Sequence, residues 1–441
     1  MMHRNLPPRS LALRVSILTV RLARAVLLLL VVALAGGLPA AGQWPQWGGP
    51  NRDFACDSKG LADQWPTGGP RRLWSADIGP GHSSIVVDDG CLYTMCRRDD
   101  HDAVLAFKAD TGEKVWETTY AAPPKEDMQL EFGAGPHSTP LVVGDRVFTV
   151  GGLAHFHCLD KRSGNILWAH NLTEEYETSH LGRGYGSSPL AYRDMVIVST
   201  GPRRPSDDKP GIAAFKQDTG ELVWGCPGFG GGYSSPILIR INDEDHLVVA
   251  LGADRAGLDP ATGKVRWRTK VDTQSYGIMA TPVFVPPDKV FYSAGYGGGS
   301  RLLKVTFADG QYATEELWYY RKMQVFHGVM ARVGDVVYGS SHGSFDPAFM
   351  MAMDLNTGKP LWRERGLAKA NVLAADGKLI ILDETGVLAL ASATNDGLKI
   401  HSQAQVLEEK SWTCPTLVGT RLYLRDHHHI VALDLSAEGN R

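Results

Sequence analysis

AFKADTGEKVW, from Ala106 to Trp116, returns along the chain as CLDKRSGNILW (Cys158 to Trp168), AFKQDTGELVW (Ala214 to Trp224), GLDPATGKVRW (Gly257 to Trp267) and AMDLNTGKPLW (Ala352 to Trp362), and a looser copy ends at Trp318. Each copy is a short apolar stretch, a turn of the Asp-x-x-Thr-Gly type, three residues and a Trp. A fixed period of about fifty residues marks a repeat architecture, in which one supersecondary unit is copied and stacked on its neighbours.

Each unit divides into four strands. The first follows small residues and Pro, as in HSTPLVV (His137 to Val143); a Gly-Asp turn leads to a second, such as RVFTV (Arg146 to Val150). A variable loop gives the third, and the Asp-x-x-Thr-Gly turn feeds the fourth, which carries the Trp. Gly supplies the positive φ of such tight turns, and Asp or Thr can bond the turn backbone. Four short antiparallel strands at this period make a propeller blade. First strands begin near His82, His137, Ser187, Tyr233, Met279, His327, Lys369 and Trp412. The expected fold is therefore all-β, an eight-bladed β-propeller of four-stranded antiparallel blades.

The eighth unit runs through LYLRDHHHIVALDL (Leu422 to Leu435) and stops without a Trp strand. RRLWSADI (Arg71 to Ile78) is an orphan strand whose Trp74 keeps step with the series. The N-terminal strand is thus expected to close the ring, which would span 71–436. Residues 43–70 would be an extension packed on the propeller, and 437–441 a tail. Trp74, Trp116, Trp168, Trp224, Trp267, Trp318 and Trp362 are expected to pack between blades. Each would contribute at most ~4–6 kcal/mol by area. Unit seven has Ile400 near the Trp slot, so its interface is expected to be the weaker one.

The chain has 441 residues, and a closed ring of small sheets can hold about that many as one unit. Residues 1–42 carry Arg4, Arg9, Arg14, Arg21 and Arg24, no acidic residue, and the apolar run Ala25 to Leu38 before small residues. This reads as a secretory signal peptide whose apolar run is short of the roughly 20 residues that span a bilayer. Removing five cations takes the formal charge from −3 to −3 − 5 = −8. An acidic exported chain without clustered Lys and Arg is a poor nucleic-acid binder. The expectation is a periplasmic or secreted monomer with no stable membrane span after cleavage. Cys56, Cys91, Cys96, Cys158, Cys226 and Cys414 permit disulfides in such a compartment but do not specify them. Cys91 and Cys96, five apart on one strand, should face opposite sides and not pair.

The five repeats resemble the PQQ-like (pyrroloquinoline-quinone-like) β-propeller family, whose hallmark is Ala-x-Asp-x-x-Thr-Gly-x-x-x-Trp. The resemblance covers about Trp44 to Leu435, and WPQWGGPNRDF (Trp44 to Phe54) resembles the start of exported single-propeller members. It implies one of two functions. Quinoprotein dehydrogenases hold the quinone and Ca²⁺ in the central channel, over an adjacent Cys pair, and oxidise alcohols or sugars. BamB-type propellers of the cell envelope are non-catalytic and offer loops to protein partners. This chain has no Cys-Cys pair and no Cys-x-x-Cys-His haem motif, which favours the binding or scaffold class. No catalytic residue and no cofactor is assigned; PQQ with Ca is the alternative. The lipoprotein Cys of BamB-type members is absent.

The resemblance places ligands at the channel mouth. Aligned on Ser-x-Pro, His82, His137, Gly186, Tyr233, Met279, His327, Lys369 and Trp412 share one ring position. His82, His137, Tyr233, His327, Lys369 and Trp412 are the candidate ligand-binding set, against the plainer reading of a polar channel lining. Asp383, Glu384, Asp426 and His427 form a weaker candidate metal set, since carboxylates with imidazoles suit a divalent ion. The long loops Thr200 to Gly211, Ser340 to Phe349 and Ala121 to Gly135 could shape the same face, with Phe132, Phe345 and Phe349 either as exposed anchors for a partner or as caps on the channel. His155 and His157 alternate along one strand face and could share a ligand, against the plainer reading of a surface face. Phosphate loops and CxxC pairs do not occur.

Overall fold

The structure, a computed structural model, describes residues 43–440 apart from 134, 178–180, 202–203, 272–279, 326–327, 343–347 and 395. The signal-peptide reading of 1–42 lies outside these residues, as do Met279, His327 and Phe345. Eight antiparallel four-stranded sheets form an eight-bladed β-propeller. The helix Leu172–Glu175 is the only one among the described residues. Blade 1 is Val86–Asp88, Cys91–Arg98, His101–Lys108 and Lys114–Ala121. Blades 2 to 7 repeat it, with first strands Leu141–Val143, Leu190–Tyr192, Ile237–Ile241, Val283–Val285, Ala331–Val333 and Asn371–Ala375. Blade 8 combines Thr416–Val418, Arg421–Arg425 and His429–Asp434 with Arg71–Asp77, which pairs antiparallel with His429–Asp434.

The repeat motif is a lock between successive blades. Trp116 of blade 1 donates its indole N–H to the Lys161 carbonyl in the turn of blade 2 at 3.0 Å. Trp74, Trp168, Trp224, Trp318 and Trp362 do the same to Ala109, Gln217, Pro260, Leu355 and Thr394. The turn's Gly then lies against the ring: a Cβ on Gly164 would come within 2.6 Å of Trp116, and one on Gly112 within 2.6 Å of Trp74. So the turn needs Gly twice, for its positive φ and for the approach of the neighbouring indole. Asp160 finishes the turn by accepting from the main-chain N–H of Arg162 and Ser163 and from the Ser163 hydroxyl.

Two interfaces depart from this lock. Blade 5 has a longer outer hairpin, Gly299–Ala308 with Gln311–Tyr320, and Trp267 bonds His246 Nδ1 of its own blade instead. At the seventh, Ile400 is 41% exposed and fills nothing. The N-terminal segment enters there: Ala62 N–H takes the Leu435 carbonyl, the position that receives an indole elsewhere. Leu61, Ala62 and Trp65 join the core with Val406, Leu407 and Leu433. The gap foreseen at unit seven is thus occupied by a segment that the repeat does not encode.

Upstream of that, residues 44–56 cross the central channel as a strap. Trp44 bridges Val87, the Pro45 carbonyl accepts from Val142 N–H, and Ala55–Cys56 adds a parallel fifth strand to Asn371–Ala375. Arg52, buried, reaches the carbonyls of Pro236 and Pro189, each at 2.9 Å. Phe54 packs with Trp47, Val329 and Cys414. The six cysteines are free thiols, with Cys91 half-buried and Cys96 fully buried on one strand.

Candidate functional site

The first strands run from the loops at one face into the channel, so the residues just before them ring its mouth. Four of the six candidate ligand residues, His82, His137, Tyr233 and Trp412, line one cavity of about 150 Å³ there, with Gly186 among them. His82 stacks on His137 at 5.7 Å between centroids and leans on Trp412 at 5.3 Å. Gly186 makes room: a Cβ on it would meet the Tyr233 ring at 3.3 Å. Lys369 does not line the cavity; its ammonium lies 5.8 Å from the centre of the Trp412 ring and 2.9 Å from Glu384 Oε2, to which it donates. His327 lies outside the described residues.

Sequence reasoning missed the floor. Trp47 of the strap forms the floor and donates its indole N–H to Thr281 Oγ1 at 2.8 Å. Phe132, read either as an exposed anchor or as a cap on the channel, is a wall of the mouth: it meets Trp412 edge-on at 4.9 Å, and its carbonyl contacts His82 Nε2 at 3.2 Å. Arg183 covers Phe132 at 4.5 Å and pairs with Glu131. Below the mouth, Ser84 N–H donates to Thr139 Oγ1, Thr139 N–H to Ser188 Oγ and Ser188 N–H to Ser235 Oγ. The Ser-x-Pro alignment contains this belt, two positions after the mouth residues. Nothing in periodicity points to Trp47, whose hydrogen-bond partner Thr281 is distant in sequence.

The interior rings are neutral, and two of the cations about them, Arg183 and Lys369, are paired with Glu131 and Glu384. Burial, with His137 and His427 adding like charge, holds His82 well below its usual pKa. Burial holds His137 down to about 4. Burial and His428 also lower His427, which sits 4.9 Å from His82. Outside this set, Lys410 lies 4.7 Å over Trp412. The result is a small apolar socket of uncharged rings with Arg183, Lys369 and Lys410 about it.

The candidate metal residues are engaged elsewhere. Asp383 Oδ1 accepts from Thr385 N–H, Thr385 Oγ1 and Val387 N–H. Glu384 Oε2 accepts from Lys369 and from the Trp412 indole. Asp426 accepts from the main-chain N–H of His428, His429 and Glu409. Among the described residues no three His, Cys, Asp or Glu converge as a metal site. His155 and His157 are not a surface face: His157 is buried, 4.1 Å from the Tyr120 ring, because the strand packs between blades 1 and 2. Phe349 is half-buried beside Arg363 at 4.6 Å, away from the mouth cavity.

The fold family suggests a quinone with Ca²⁺ in the channel, and the residues present do not fit that pair. The chain has no adjacent Cys pair to lie under the quinone, and among the described residues no three His, Cys, Asp or Glu converge to hold the ion. The mouth cavity itself, at about 150 Å³, is smaller than the roughly 300–1,000 Å³ of pockets that bury cofactor-sized molecules.

The profile of the family described as outer membrane protein assembly factor BamB matches residues 100–364. The chain is 22% identical over 326 residues to the outer membrane protein assembly factor BamB of Yersinia pestis, covering 71% of this chain and 76% of that one. It is 27% identical over 223 residues to the same factor of Kangiella koreensis, covering 49% of each. The crystal structure of BamB from Moraxella catarrhalis superposes with a TM-score of 0.59 at 17% identity, over 83% of this chain and 99% of that one. The quinohemoprotein alcohol dehydrogenase of Comamonas testosteroni gives 0.68 at 14% identity, over 92% and 82%. Likeness at such identities is one of fold.

Proposed function

The chain belongs to the family of the outer membrane protein assembly factor BamB, and we propose that it is an exported propeller of the cell envelope that binds a protein partner through the loops of its channel mouth. On this reading it is a non-catalytic scaffold of the periplasm, related in role to the assembly factors it is similar to. Among the described residues no helix is long and apolar enough to cross a membrane. The observation that carries the reading is the socket itself. About 150 Å³ walled by His82, His137, Tyr233, Phe132 and Trp412 suits one inserted side chain better than a cofactor. Interface hot spots are of this kind, an aromatic-lined pocket that a partner's anchor fills. Lys410, which has no ion pair among the described residues, favours an acidic neighbour beside that anchor.

The test is site-specific photo-crosslinking in cells. A crosslinker at Lys410 beside the mouth is compared with one at Glu315, on the outer strand of blade 5. Capture of one envelope protein from Lys410, absent at Glu315 and lost in Trp412→Ala, is the expected result. Capture from Glu315 alone, or a cytoplasmic chain in fractionation, would overturn the proposal.

A further inference from the structure

The channel holds a second cavity on the other side of the strap. It measures about 410 Å³, within the range of small-molecule sites. Its floor is strap residues Gln46 and Pro50 to Asp53, and its walls are first-strand residues of blades 3 to 6, including Ile237, Val283, Phe284 and Arg332. No candidate residue read from the sequence lies in it.

Its charge is unbalanced. Three arginines, Arg52, Arg240 and Arg332, face one carboxylate, Asp53. Arg240 is answered from outside the cavity, by Asp245 at 3.2 Å and Asp243 at 3.7 Å. Arg332 donates to the Gly334 carbonyl, and Arg52 bonds only the neutral acceptors Pro236, Pro189, Ser188 and Gln46. Neither has an ion pair among the described residues. Arg52 is 4% exposed, so its charge is held out of water without a counterion, which is costly unless something else supplies one. The strap also holds Arg52 and Phe54 in the left-handed region, at φ 57° and 56°. Such strain in non-glycine residues clusters at ligand clamps.

We infer that this cavity binds a small amphipathic anion, its acidic group beside Arg332 and Arg52 and its apolar body against Ile237, Val283 and Phe284. Charge selects the headgroup, and the apolar wall opposite the strap selects the remainder. The site is independent of the mouth, from which Trp47 and the strap separate it.

Anilinonaphthalene sulfonate, an aromatic anion, is the probe, with uncharged N-phenylnaphthylamine as its partner, each titrated into the full chain by fluorescence. Saturable binding of the sulfonate that weakens with salt is expected. Arg332→Gln should weaken it by at least about tenfold, while Arg332→Lys retains most of it. Urea unfolding of each variant confirms the fold. Equal affinity for the neutral probe would overturn the inference. So would binding that survives Arg332→Gln but is lost in Trp412→Ala, which would put the probe in the mouth.

Discussion

The indole of Trp116 and the backbone of Gly164, in adjacent blades, are in direct contact: a single methyl group on Gly164 would come within 2.6 Å of the Trp116 ring. Gly164→Ala should therefore cost about 2–5 kcal/mol, from left-handed strain at φ 73° or thereabouts plus overpacking. Gly144 has a similar positive φ of 57° but nothing within 4 Å, so Gly144→Ala should cost only about 1–2 kcal/mol. Urea denaturation of the pair separates conformation from packing. Equal losses would remove the packing half of the argument.

Trp65 stands in for a repeat residue that blade 7 lacks. It is 7% exposed, and its indole N–H makes no hydrogen bond among the described residues. Trp65→Ala should cost about 3–5 kcal/mol, like a core deletion within a blade. Trp65→Phe should cost below about 1.5 kcal/mol, since no bond is lost. Thermal unfolding measures both, and a negligible effect of Trp65→Ala would mean that the segment adds nothing to the seventh interface.

Arg425 of blade 8 donates to the Ser83 carbonyl, Thr94 Oγ1 and the Met95 carbonyl of blade 1 and its approach. Arg425→Met would remove three bonds at once between buried groups, with only the Thr94 hydroxyl left to donate to the Ser83 carbonyl. A loss of about 3 kcal/mol or more is expected in chemical denaturation. Loss below about 1 kcal/mol would mean that water replaces the guanidinium.

His137 titrates near 4 in the folded chain because it is buried, against about 6.5 unfolded. Between those values the unfolded state binds the extra proton, so stability rises with pH. The contribution is complete above about pH 6.5 and is lost as pH falls toward 4; one such His amounts to about 3 kcal/mol. His157, His246 and His342 are lowered by burial to about 4 and act in the same direction. Unfolding free energies between neutral pH and pH 4.5 should fall steadily, and His137→Asn should flatten that slope in part. An unchanged slope would place a different group behind the acid sensitivity.

Pyrroloquinoline quinone should give no Ca²⁺-dependent quenching of the Trp fluorescence of the folded chain, because no three His, Cys, Asp or Glu converge among the described residues to hold the ion. Saturable quenching at micromolar quinone that is lost without Ca²⁺ would show that the channel assembles such a site.

The blades were legible because every unit solves the same problem with the same residues. Asp160 and Gly164 make one turn, and Trp116 needs that turn beside it. The mouth was legible for a related reason: His82, His137, Tyr233 and Trp412 occupy one position of the repeat, and stacking repeats in a ring turns sequence position into spatial proximity. The strap has no such rule. Arg52 meets Pro236, 184 positions away, through bonds that leave no period in the text. Trp47 and the second cavity were hidden with it. The metal set failed to converge because Asp383 and Asp426 turn inward to brace their own loops, a use of carboxylates that composition cannot distinguish from ligation.

Ala55–Cys56 pairs with residues 371–375, Ala62 meets Leu435, and Arg71–Asp77 pairs with His429–Asp434. Residues 55–77 therefore have these partners in a part of the chain made much later. Loop closure over such separations slows folding. During synthesis this stretch waits while the blades between it and its partners are made. The order of completion runs opposite to the order of translation: a segment that precedes the first blade is among the last to find its place.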